Sequence, residues 1–394
     1  MKVLDRIQAD LQSEAHAGRK ACLQARKASL LVRWGDEAAG RELVQGLRQR
    51  FLGHEFSQLS AALCLVEGQL LDRDGMQAPA IDRFERAYGL SRMPSSSEIR
   101  GLAGACLAHH QAQLEQWDRC TATIREVLTV AEPGHHEVLA RCALTLANMF
   151  LAAGWGALAS VWFSRARAQA VREGDGVTLG HLLHDTAVGQ LQRLRWAAML
   201  DRQFKPSAAD LASSGQLIEG ALNYLSLTRS PALRALRPRL TLAQSTWQVM
   251  NGHYALAWDG VKALPAEPGG SGGRSLAQWQ ADRWWCIAHC VSSDSRGLLT
   301  QATDLPHVAH SPPGLDALLL QTWPPLQRWR TWEVALEASV ISGYDEAWPS
   351  PGANPLRALR SEVRSEGFQS WQRLRAALNA NRLEPQRWEM CDET

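Results

Sequence analysis

The chain has 394 residues, 45% of them hydrophobic and 21% charged, which excludes wholesale disorder and leaves room for two average domains or one elongated repeat array. Lys+Arg 42 against Asp+Glu 40 gives a formal charge of +2. That is too balanced for the concentrated positive field of a dedicated nucleic-acid or membrane-surface binder.

At the start, Asp5, Arg6 and Asp10 interrupt any apolar run, so no secretory leader is expected. The eight cysteines are scattered through apolar helical patterns, where a free thiol behaves as a small buried hydrophobe. No disulfide framework is visible, and a reduced cytoplasmic setting is expected, in a bacterial cell. Helical pairs follow. Turn signals within pairs are Trp34-Gly35-Asp36, Asp72-Arg73-Asp74-Gly75 and Gly154-Trp155-Gly156. Met93-Pro94-Ser95 and Glu132-Pro133-Gly134 separate one pair from the next. Cys142 to Ser164 is a run of 23 uncharged residues, long enough to span a bilayer. Thr145, Asn148, two serines and the Gly-Trp-Gly step at its middle argue instead for a buried helical hairpin.

A four-position pattern recurs. Small residues stand at Ala28, Gly68, Ala108 and Ala147, at intervals of 40, 40 and 39 residues. Twelve residues after each comes a second small one: Gly40, Ala80, Cys120 and Ala159. Large apolar Val44, Phe84, Ile124 and Phe163 follow, then Leu47, Ala87, Val127 and Ala166. Small side chains at two facing positions let paired helices cross at about 8–10 Å, and the large one fills the space toward the next pair.

This arrangement resembles the tetratricopeptide repeat, in a variant longer than the family's period of about 34. Gly68, Ala80, Phe84 and Ala87 match its pattern, as do Ala147, Ala159, Phe163 and Ala166, and Trp117 and Tyr254 match an aromatic early in the second helix. The resemblance implies an all-α, right-handed superhelical solenoid of antiparallel helix pairs over residues 1–264. It also implies a concave groove lined by the first helix of each pair. The residue after the first small position would point into that groove: Ser29, Gln69, His109 and Asn148. Arg33, Asp72, Arg73, Arg141, His181 and His184 lie at other groove-facing offsets. These polar side chains either read a peptide backbone or simply face solvent. Leu144 stands where some members carry a lysine beside the groove asparagine, so a lysine clamp for a terminal carboxylate is not expected.

Past residue 170 the pattern loosens. Val177–Phe204 reads as one long helix ended by Pro206, Ser207–Thr228 as another, and Pro231–Met250 with His253–Leu264 as a further pair. The Pro/Gly/Ser-rich stretch 265–274 reads as a linker or long loop, and 275–394 as divergent Trp- and Pro-rich helices that continue or cap the array. Cys286, His289 and Cys290 share one helix face, as do His181, His184 and Asp185, but neither group offers a fourth ligand at finger spacing, and no metal is expected. His135-His136-Glu137 reads as helix-capping chemistry. There is no nucleophile elbow, phosphate loop or dinucleotide fingerprint, so neither an enzyme nor a cofactor is expected. Nine of the 16 Trp lie from Trp279 to Trp388. Among them Trp323, Trp329 and Trp332, with Arg328, make a candidate second docking face, or else fill loosely patterned packing.

The function expected is a non-enzymatic interaction scaffold, adaptor or accessory subunit that grips a peptide segment or partner protein, without membrane insertion or nucleic acid. A homodimer stays open. The alternative is a ligand- or peptide-sensing regulator of a signalling or transcription system.

Overall fold

Helix α1 (Lys2–Ser13) leads into four helix pairs: α2 (Ala17–Trp34) with α3 (Glu37–Arg50), α4 (Ser57–Arg73) with α5 (Gln77–Leu90), α6 (Ser97–Gln113) with α7 (Trp117–Val130), and α8 (His136–Ala152) with α9 (Gly156–Glu173). Next come α10 (Gly176–Leu200), α11 (Ala208–Leu227), the short α12 (Pro231–Arg234), α13 (Arg237–Met250) and α14 (Tyr254–Lys262), and, near the C-terminus, α15 (Phe368–Ala380). The computed structural model describes residues 2–51, 57–200, 206–265, eight positions from 279 to 290, 368–383 and 385. Among the described residues there is no strand, so the fold is all-α, and the packing of neighbouring pairs is compatible with a helical repeat. The expected linker 265–274 lies outside the described residues after Pro265.

The residues form two compact units. Unit 1 comprises Met1–Leu182, Arg229–Arg234 and Arg373–Thr394; unit 2 comprises Leu183–Thr228 and Ala235–Gln372.

In unit 1 each pair folds back through the same turn. One residue in the left-handed region closes the first helix: Gly35 (φ 101°), Gly75 (φ 76°), Glu115 (φ 55°) and Gly154 (φ 84°). The next N–H then bonds the carbonyl five residues back, as in Asp36 to Leu31, Met76 to Leu71, Gln116 to Gln111 and Trp155 to Phe150, at 2.8–2.9 Å. This is the Schellman arrangement that satisfies the orphan carbonyls of a helix end. Its recurrence puts the sequence period into the backbone itself.

The crossings are tight where the small residues stand. Ala28, Ala80, Ala108, Cys120, Ala147 and Ala159 are all buried to 1% exposure or less. A Cβ built on Gly68 would lie 2.6 Å from the Phe84 ring, and one on Gly40 would lie 2.3 Å from Val32 Cγ2. Cys120 Sγ donates to the Ala108 carbonyl at 3.2 Å, so α7 approaches the α6 backbone directly. Val44, Phe84 and Ile124 fill the large position as expected. In the fourth pair the expected Phe163 is only half-buried, and Trp162 is fully buried instead. Both lie on the face shared with Ala159 and Ala166, and the larger indole takes the inner place.

Proline explains a second difference. The predicted helix Pro231–Met250 is broken into α12 and α13, with Pro238 in the first turn of α13. A proline there has no N–H to continue a helix from Arg234 and its ring would meet that residue's carbonyl, whereas a first turn accepts it. Within unit 1, α12 sits on the α2–α3 turn: Ser230 Oγ donates to the Trp34 carbonyl at 2.7 Å, and a Cβ on Gly35 would lie 2.6 Å from Ala232 N. Asn381, just past α15, donates to Thr121 Oγ1 at 2.9 Å, and Arg375 lies 4.6 Å from the Trp155 ring.

In unit 2, α13 packs on α11 and α14. Trp247 Nε1 donates to the Leu211 carbonyl at 2.7 Å, and its ring leaves no space for a Cβ on Gly215. Trp258, Trp279, Trp285, Cys286 and Cys290 join Leu242, Val249 and Val261 in one core.

The turn geometry makes a paired test. Glu115 holds a left-handed conformation that costs a side chain about 1 kcal/mol, so Glu115→Gly is expected to stabilise the protein by that order. Gly75→Ala, at a turn with open space around the Cβ, should lose a similar amount. Chemical denaturation of both variants checks the sign; a stabilising Gly75→Ala would refute the shared turn.

Candidate functional site

Helix α2 carries Arg26, Ser29 and Arg33 on one face, at i, i+3 and i+7, amid buried Ala21, Ala25, Ala28 and Val32. Two of these are guanidiniums drawn inside unit 1, each side chain only 11% exposed. Arg26 meets Glu137 Oε2 at 2.5 Å and Glu98 Oε1 at 3.1 Å. Arg33 meets Glu137 Oε1 at 2.7 Å and Asp175 Oδ2 at 2.5 Å, and also bonds Thr178. Arg141, one turn along α8, lies 3.7 Å from the same Glu137 carboxylate. Arg73 donates to the Arg33 carbonyl at 3.2 Å, and Arg6 bonds Glu173 at 2.8 Å. One network thus joins α2, α4, α6, α8 and the start of α10, and beside it Arg6 ties α1 to the end of α9.

Glu137 is its hub, 3% exposed in the first turn of α8. Burial alone would raise its carboxyl, but Arg26, Arg33 and Arg141 outweigh that and hold it down at about 2. The expected capping role for His135-His136-Glu137 does not hold: the N-cap His135 makes no side-chain cap bond. His136 instead pairs with Gln169 at 2.7 Å, and Glu137 turns inward.

Beside the hub, His110 stacks on Phe84 with ring centroids 5.5 Å apart and places Nε2 3.5 Å from Asp72 Oδ1. Burial lowers the His110 pKa, partly opposed by Asp72. Burial also lowers the Arg73 guanidinium, against the pull of Glu37 and Asp72. Ser29 Oγ, Gln69 Oε1 and His110 Nδ1 are buried without a protein partner, the situation bridging water relieves.

The sequence-derived groove residues therefore divide. Ser29 and Gln69 are buried, and Arg33 is spent in ion pairs. Arg73 and Arg141 are partly exposed at the edge of the network. His109 and Asn148 are exposed, His109 being 3.0 Å from Gln113 Nε2. His181 is half-buried in unit 1; His184 falls in unit 2, buried, with Nδ1 2.9 Å from Asp185. The candidate docking residues Trp323, Arg328, Trp329 and Trp332 lie outside the described residues.

Sequence reasoning missed Arg26, Glu137, Asp175 and Thr178. The one signal for them was a pair of arginines set into an alanine-rich helix face.

The thiol pair is part of the unit 2 core. Cys286 Sγ lies 3.2 Å from Thr246 Oγ1, and Cys290 Sγ donates to the Tyr254 carbonyl at 3.5 Å. Burial pushes these thiols up to about 12 and about 11. Among the described residues no group of three or more His, Cys, Asp or Glu is placed to hold a metal ion. Nor is any described helix long and apolar enough to cross a membrane. The uncharged run 142–164 is cut by the turn at Gly154 into the end of α8 and the start of α9.

Neither a family model, a curated protein nor a solved structure matches this chain. What the fold defines is a class: an all-α protein of successive packed helix pairs, with a buried ionic centre in unit 1.

Removing the hub has a definite expected cost. Glu137→Gln leaves three guanidiniums without their shared charge and should destabilise unit 1 by about 3–5 kcal/mol. Amide exchange in α2 and α8 reads this locally. The pH dependence carries a sign as well. The folded pKa of about 2 lies below the ordinary 4.5, so the stabilisation is full above pH 4.5 and drains as pH falls toward 2. Glu137→Gln should flatten that part of the acid profile. A loss below about 1 kcal/mol would show that the arginines do not depend on Glu137.

Proposed function

We propose that this chain is a non-enzymatic adaptor or accessory subunit built on a tetratricopeptide-like solenoid, gripping a peptide segment or partner protein. The observation that carries the reading is the alternation at the helix crossings: a fully buried small residue followed at once by an exposed polar one, Ala108–His109 on α6 and Ala147–Asn148 on α8. Exposed hydrogen-bonding side chains held at fixed spacing on packed helices are suited to the backbone groups of an extended segment. Asp72, Arg73 and Arg141 stand partly exposed on α4 and α8 and would add charge selection. The first pair contributes little, because its equivalent Ser29 lies sealed in the ionic network. The contact surface is therefore assigned to α4, α6 and α8, and the network behind it to holding those helices in place. A cytoplasmic location and a right-handed superhelix belong to this same reading.

A His109→Ala, Asn148→Ala double variant tests it. Both side chains are exposed, so thermal stability should change by no more than about 1 kcal/mol. A partner recovered with the wild-type protein from its own host, then purified, should bind the double variant at least about tenfold more weakly. Equal affinity for both proteins, or no partner recovered, would remove the proposal.

A further inference from the structure

The His110 imidazole on α6 is 3% exposed, set where α6 meets the preceding helix pair. Its ring stacks on Phe84 of α5, with centroids 5.5 Å apart and planes 21° from parallel. From α4, Asp72 Oδ1 stands 3.5 Å from Nε2, longer than a good hydrogen bond. The Asp72 side chain is 38% exposed, so water lies on that side of the ring.

A neutral imidazole suits this place and a charged one does not. The imidazolium carries two N–H donors, and Nδ1 has no protein acceptor. Charging the ring also holds a cation away from water, and Arg141 on α8 adds like-charge repulsion. Asp72, itself beside Arg73, and Gln113 on α6 favour the charge. Burial is the largest influence, and it holds His110 below the ordinary 6.5. Also titratable on α6 are the His109 ring, edge-on at 5.7 Å, and Cys106 one turn back, whose thiol burial pushes up.

We propose that His110 is an acid-sensitive catch in unit 1: neutral, it closes α4 and α5 onto α6; charged, it turns toward water and loosens that contact. The catch lies directly beside His109 and Asp72, so acidification would also weaken the grip on a partner. That consequence rests on the partner surface assigned above, whereas the catch itself does not.

With its folded pKa below 6.5, His110 contributes stability that is full above pH 6.5 and is lost as pH falls through the folded value. Glu137 acts in a separate window, below pH 4.5. Burial also lowers His289 in unit 2, so a global melting curve would mix the two histidines and the readout must be local.

Two measurements on the full chain, with no partner present, test the catch. One is the NMR titration of the His110 ring; the other is amide exchange in α4 and α6 between about pH 7 and about pH 5, corrected for the intrinsic rate. The ring is expected to titrate below 6.5. Protection in both helices should fall about tenfold over that range. In His110→Gln, which takes up no proton there, protection should stay level. Asp72→Asn decides where that variant folds poorly: losing the carboxylate should move the ring titration and the loss of protection about one pH unit lower. A ring that titrates at or above 6.5 overturns the catch. So does wild-type protection that ignores pH, an equal loss in His110→Gln, or an unmoved midpoint in Asp72→Asn.

Discussion

A single buried carboxylate, that of Glu137, holds the guanidiniums of Arg26 and Arg33 inside unit 1 and that of Arg141 at its edge. Taking such charges out of water costs several kcal/mol each, and only close mutual pairing recovers that cost. Arg33 meets the requirement by dividing its two terminal nitrogens between Glu137 and Asp175. The interaction need not add net stability over an apolar core to matter. It ties the first helix pair to the fourth and to the start of α10, which local crossing geometry alone does not do. Small residues set how closely each helix meets its neighbour; the network sets which distant helices meet.

The local half of that architecture was legible in the sequence because each rule involves neighbours. The alternation of small and large residues at fixed spacing located the crossings, and glycines marked the turns. Two errors show where the reading ends. Phe163 and Trp162 occupy one helix face, and the pattern named the residue at the family's position rather than the one with more surface to bury. Glu115 sits at the left-handed turn position occupied by Gly35, Gly75 and Gly154 in the other pairs. Only the register reveals it, because its residue type gives no turn signal. The ionic network was not legible at all. Arg26 and Glu137 are 111 residues apart and look, one at a time, like ordinary charges on helix surfaces.

Equivalent positions in the repeat are not equivalent environments. Ser29, Gln69, His109 and Asn148 follow a small residue in four successive pairs, yet the first two are buried and the last two exposed. The cause lies outside the repeat pattern. Ser29 shares its helix face with Arg26 and Arg33, which the acidic residues of α8 and of the α9–α10 turn draw inward. No arginine stands within two turns of His109 on its own face, and Asn148 lies toward the end of α8, two turns beyond Arg141. The polar ladder expected from spacing alone is therefore shortened to its later members.

Both units bury arginine against carboxylates and leave some of its donors without a protein acceptor. In unit 1, Arg26 and Arg33 each meet two carboxylates, yet Arg26 Nη1 and Arg141 Nη1 are buried without a protein hydrogen-bond partner. In unit 2, Arg195 is more deeply buried and meets one carboxylate, and its Nε is likewise without a protein partner. A guanidinium carries five donors, so a buried one exhausts the nearby protein acceptors and leaves the rest to bridging water. The carboxylates decide which helices are held together, because each buried guanidinium must find at least one of them to recover the cost of leaving water.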